Sequence, residues 1–168
     1  DCNGEWGGDA VVDECEVCDG DNACLCEEPF ISIFGHCLHG DDLAVLQTFI
    51  DNSINSGFVM EGCSVSDEWC SSPNLYMDQS WHDVIIEGEI YQFSNGNGIV
   101  EPLELGLQDW ENGRLISLMC GAYIYCQLSG QIPENISDLS AIEVLRLEVN
   151  YFSGDIPESV CDLENVNF

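Results

Sequence analysis

The residues that could do chemistry in this 168-residue chain are its 11 cysteines and its 32 aspartates and glutamates. Thiols crosslink, hold soft metals or act as nucleophiles, whereas carboxylates hold hard cations or move protons. Cys15-x-x-Cys18 followed by Cys24-x-Cys26 has spacing that zinc or a redox site would use. Zinc favours two well-separated ligand pairs, and a redox CxxC needs a thioredoxin-like βαβ context that is missing here. Disulfides are the better reading. The candidates are Cys2, Cys15, Cys18, Cys24, Cys26, Cys37, Cys63, Cys70, Cys120, Cys126 and Cys161. The odd count leaves at least one thiol free or bound to another chain. His36-Cys37-x-His39 puts three donors close together, but between Gly35 and Gly40 it reads as a loop rather than a metal site.

Charge narrows the function classes. Arg114 and Arg146 are the basic residues, lysine is absent and the formal net charge is -30. Such a chain repels nucleic acid and anionic membrane. It needs counterions, and Ca²⁺ is the simplest, with solubility in a salty medium as the bland alternative. Disulfides together with this acidity place the chain outside the cell, secreted or at its surface. No apolar run approaches the roughly 18 residues needed to span a bilayer. The start at Asp1 reads as a mature or fragmentary chain without its signal peptide. No nucleophile-elbow, zinc-protease or phosphate-cradling motif occurs, and acid pairs carry no signal among so many carboxylates. No catalytic residue is assigned, and an enzyme is not expected.

Three segments must position these groups. Residues 1–28 hold five cysteines and much of the Asp and Gly, with little to bury, so crosslinks or ions must hold them. Residues 29–98 read as globular. Leu43, Leu46 and Ile50, widened by Val45 and Phe49, predict a helix over 41–54, with Asp41 and Asp42 at its N-terminal end. The β-branched and aromatic run 81–93 predicts a strand, and SNGNG at 94–98 a turn.

Residues 99–168 repeat. LSGQIPENISDLSAI (128–142) aligns with FSGDIPESVCDLENV (152–166) at an offset of 24 residues. Ile142-x-x-Leu145-x-Leu147-x-x-Asn150 follows the LxxLxLxxN pattern. That pattern predicts Leu145 and Leu147 in a core and Asn150 at a turn, its amide satisfying neighbouring backbone. Gly121 and Tyr123 take the strand positions one turn earlier, and Leu103, Leu105 and Leu107 supply an irregular turn upstream. The residues between the core positions predict a binding face of Ala122, Ile124, Val144, Arg146 and Glu148. The chain stops where a further coil would begin, which reads either as a fragment or as an open end that stacks on a second copy.

LSGQIP and FSGDIP resemble the plant-type leucine-rich repeat, and the helix, the Cys63 and Cys70 pair and Trp81-His82 resemble its N-terminal cap. The resemblance covers about 41–168. It implies an α/β repeat fold: a short leucine-rich repeat solenoid with a helical cap, behind a disulfide-rich, mostly irregular N-terminal segment. DCNGEWGGDAVVDECEVCDGDNA resembles the Asp/Cys/Gly-rich, thrombospondin type 3-like repeats of secreted microbial proteins. That resemblance implies Ca²⁺ held by Asp9, Asp13, Asp19 and Asp21. Asn135-Ile-Ser137 is an acceptor sequence for N-glycosylation. These readings lead to an extracellular structural or adhesive protein that forms a homo-oligomer or polymer through its stacked ends. The alternative is a module of a larger surface protein that binds a ligand, protein or glycan.

Overall fold

The computed structural model describes residues 2, 4, 6, 8–12, 18, 26–64, 68–79, 82–121 and 123–166. The chain divides into two compact units, Asp1–Gly40 and Asp41–Phe168.

In the first unit, β1 (Phe30–Ile33) and β2 (His36–His39) form an antiparallel hairpin. Its two turn residues, Phe34 and Gly35, both have positive φ, the mirror-image turn whose twist matches that of paired strands. The backbone N–H of Gly40 donates to the Pro29 carbonyl at 3.0 Å. Cys2–Cys18 and Cys26–Cys37 crosslink this unit. Because Cys37 is consumed by its disulfide, the His36, Cys37 and His39 trio has no thiolate to offer a metal.

The second unit is built around α1 (Gly40–Ser56), which meets the expectation for 41–54. Leu43, Val45, Leu46, Phe49 and Ile50 are all buried. The expected strand 81–93 is instead a hairpin of β3 (Val84–Ile86) and β4 (Glu89–Tyr91), turned at Glu87-Gly88. It joins β5 (Leu107–Glu111), β6 (Arg114–Met119) and β8 (Val144–Arg146) in a five-stranded sheet of order β4-β3-β5-β6-β8. β7 (Ser129–Gly130) and β9 (Tyr151–Phe152) make a separate short parallel pair.

This arrangement overturns the solenoid expectation. Stacked identical coils require parallel strands throughout, but β3–β4 and β5–β6 are antiparallel, so the sheet is mixed. With one α-helix and three small sheets among the described residues, the fold is sheet-rich and disulfide-rich. Gly121 and Tyr123 occupy no core strand. Gly121 accepts from Ile124 N–H at 3.0 Å in a turn, and Tyr123 is 87% exposed. Leu145 and Leu147 are only half-buried. The expectation for Asn150 is met locally: its amide donates to Cys120 O (2.7 Å) and Leu147 O (2.9 Å) and accepts from Leu128 N–H (2.8 Å).

Buried polar groups tie the helix to the sheet. Asp42, wholly buried in the first helical turn, receives a two-pronged contact from Arg114: Nε to Oδ2 at 2.8 Å and a terminal N–H₂ to Oδ1 at 2.7 Å. Leu115 N–H adds a third bond to the same carboxylate at 2.9 Å. Such bidentate, hydrogen-bonded geometry is what makes a buried carboxylate tolerable. The bond to Asp42 and partial burial act on Arg114 in opposite senses; the bond is the larger effect and raises its already high pKa. Gly130 lies so close to the helix that a Cβ there would sit 2.5 Å from Asn52 O, and Ser53 and Ser56 bond Ser129 across the same seam. Trp110 sits fully buried in the sheet, its indole N–H donating to Gln108 Oε1 at 2.9 Å.

Candidate functional site

The most chemically distinctive surface is an aromatic cavity of about 160 Å³, lined by Trp69, Asn74, Tyr76, Met77, His82, Tyr123, Ile124 and Tyr125. Three short segments supply six of these residues. The 3₁₀ turn Glu68–Cys70 carries Trp69, the 3₁₀ turn Leu75–Gln79 carries Tyr76 and Met77, and the loop between β6 and β7 carries Tyr123, Ile124 and Tyr125. Trp69 and Tyr76 stack with centroids 4.2 Å apart and planes at 23°. Trp69 remains 51% exposed and Tyr125 53%. Solvent-facing aromatics of this size are uncommon away from recognition surfaces, because water gains by their burial.

Each segment is braced. Cys63–Cys70 closes the loop beside Trp69, and Cys120–Cys126 closes the loop that carries the two tyrosines. The second disulfide rests on Gly106, whose φ of +70° and absent side chain make room: a Cβ there would meet Met119 O at 2.6 Å. Asn74 then clips the two sides together. Its N–H donates to Cys126 O at 2.9 Å, and its side-chain amide donates to Tyr125 O at 3.0 Å. Tyr125 and Gln127 hold left-handed φ values of 55° and 53°, a conformation that costs an L-residue energy and persists only where its surroundings impose it. Burial lowers the pKa of His82, although neighbouring Asp83 opposes the shift, so the imidazole in the cavity wall is neutral at physiological pH.

A second polar cluster is structural. Asp78 is buried and accepts the backbone N–H groups of Asn97 (3.1 Å) and Gly98 (2.7 Å), ordering the segment expected as a turn. Glu104 accepts from Asn95 N–H (3.2 Å) and Glu101 N–H (2.9 Å). Burial pushes its carboxyl up to about 7, against the opposing pull of those two bonds. Each of the four carboxyl oxygens accepts one backbone N–H from residues 95–101.

Of the described residues of the expected binding face, Ile124 alone lines the aromatic cavity. Val144, Arg146 and Glu148 are exposed on and just after β8, and Ala122 lies outside the described residues. The Glu148 carboxylate packs against Gly121, where a Cβ would collide with it. Of the expected calcium ligands, Asp9 is exposed, while Asp13, Asp19 and Asp21 lie outside the described residues. Among the described residues no group of three or more His, Cys, Asp or Glu is placed to hold a metal ion. Asp9 by itself does not make up a calcium site. Asn135 is half-buried ahead of the 3₁₀ turn Ile136–Asp138.

Cysteine pairing follows the disulfide expectation for eight residues, in four bonds. Cys161 departs from it: the thiol is free and exposed. Cys15 and Cys24 lie outside the described residues. The four bonds mark a chain that folds in an oxidising environment. No helix among the described residues is long and apolar enough to cross a membrane.

The aromatic cavity was not legible in advance, because its residues come from positions 69–125 and share no spacing. The usable signal lay in the cysteines, since both crosslinks that brace the cavity flank an aromatic residue directly: Trp69-Cys70 and Tyr125-Cys126. No protein family, curated protein or solved structure matches this chain.

Proposed function

We propose that this chain is an extracellular binding module that captures a ligand on its aromatic face. The observation that carries the reading is a cluster of exposed aromatic rings held by two disulfides and an asparagine clip. A fold spends such bracing on a surface when the surface must be rigid before its ligand arrives, because prior order lowers the entropy lost on binding. The acidity fits an extracellular setting and disfavours anionic partners. Assembly by stacked repeat ends loses its rationale once the sheet is mixed rather than solenoidal, so capture of a ligand takes precedence over polymerisation.

The test is a fragment screen on the oxidised full chain, followed through backbone and indole ¹H–¹⁵N shifts. Shifts should concentrate at 69–77 and 120–126. Fragments that perturb only other surfaces, or none at all, would sink the proposal.

A further inference from the structure

Charge and shape together narrow the ligand. We propose that the cavity between Trp69, Tyr76, Tyr123 and Tyr125 takes an organic cation, a quaternary ammonium or guanidinium headgroup presented by a partner molecule. The inference rests on the aromatic face being the binding site and adds the chemistry of what enters it.

Three observations converge. First, four of the eight lining residues are Trp or Tyr, whose π faces attract cations electrostatically, Trp most strongly. Second, the surrounding field is negative. Asp83 follows His82 in the cavity wall, and the Glu148 carboxylate packs on Gly121, the first residue of the turn that bears Tyr123. Among the lining residues there is no Lys or Arg to repel a cation, and the desolvated His82 is neutral. Of the chain's two arginines, Arg114 is engaged with Asp42 and Arg146 lies on β8. A net charge of -30 raises the local concentration of any cation before it docks. Third, the volume is about 160 Å³. An apolar cavity of about 150 Å³ holds a single benzene, so the site fits one headgroup rather than a run of sugar rings. Among the described lining residues there is no carboxylate, which suits a diffuse, weakly hydrated cation over a compact, strongly hydrated one.

The experiment titrates choline into the oxidised full chain, with 3,3-dimethylbutan-1-ol as its uncharged isostere and a neutral cello-oligosaccharide as the glycan probe. Indole shifts of Trp69 and amide shifts of Tyr123 and Tyr125 give the affinities. Choline should bind roughly five- to tenfold more tightly than the isostere, and added salt should weaken it. Trp69→Leu should cut choline affinity by about fivefold. Tyr123→Leu, at a residue 87% exposed and therefore safe for folding, should cut it by a smaller factor. Equal affinity for the isostere would overturn the proposal and leave a plain apolar pocket. Oligosaccharide shifts on the same residues without choline shifts would overturn it in favour of a glycan site while keeping the binding face. If no probe shifts these residues, both the cation and the binding face fail.

Discussion

The two units are held together by different physics. Among the described residues, Leu38 is the one buried apolar side chain of the first unit, where Val11, Val12, Ile31 and Phe34 are all exposed. Among its described residues, order rests on a hairpin of two four-residue strands and two crosslinks. The second unit buries Phe49, Trp110 and a dozen or more aliphatic residues. Its own disulfides close short loops at the surface. A segment with little to bury must be held by covalent constraint, whereas one with a core can use its crosslinks to shape a site.

Reduction should separate the units most sharply. Opening Cys2–Cys18 removes about 3 kcal/mol of loop constraint and Cys26–Cys37 slightly less. Amide protection across 26–40 should therefore vanish under mild reductant while α1 and β6 stay protected, as hydrogen exchange would read. Equal loss in both units would show that the core does not stand without its crosslinks.

A smaller effect belongs to the second unit alone. Arg114→Met leaves Asp42 buried without its partner, which should cost about 3 kcal/mol by chemical denaturation. The β1–β2 hairpin should keep its protection. A change below about 1 kcal/mol would mean that Leu115 N–H alone satisfies the carboxylate.

The smallest effect is set by pH. Glu104 has a folded-state pKa raised to about 7 from an ordinary 4.5. Between those values the folded chain holds a proton that the unfolded chain has released. The Glu104 contribution is therefore fully present below the unfolded value and lost as pH rises towards 7. Glu104→Gln should flatten the decline of melting temperature across that interval, and an unchanged profile would assign the slope to other carboxylates.

Legibility in the sequence followed the range of the interactions. Helix α1 was readable because its apolar stripe recurs within one element and needs no partner to be recognised. Asn150 was readable because its amide serves backbone within its own turn as well as beyond it. The hairpins were missed where a signal existed. Asn112-Gly113 joins β5 to β6 with both φ values positive, and Glu87-Gly88 does the same inside the segment read as one strand. Overlooking them made strands that turn back look like successive parallel coils. The 24-residue offset describes a local resemblance between two segments. It carries no information about whether the strands before them run parallel.

By itself the sequence determined the cysteine-rich, acidic character of the chain and its helix, because these follow from residue counts and short periodicities. Only the tertiary structure decided which way the strands pair, where Arg114 finds its carboxylate across 72 positions, and that Trp69, Tyr76, Tyr123 and Tyr125 share one cavity. Those outcomes depend on side chains far apart in the chain meeting at hydrogen-bond or contact distance. Closing such loops costs entropy that only the assembled core repays, so no local pattern announces them.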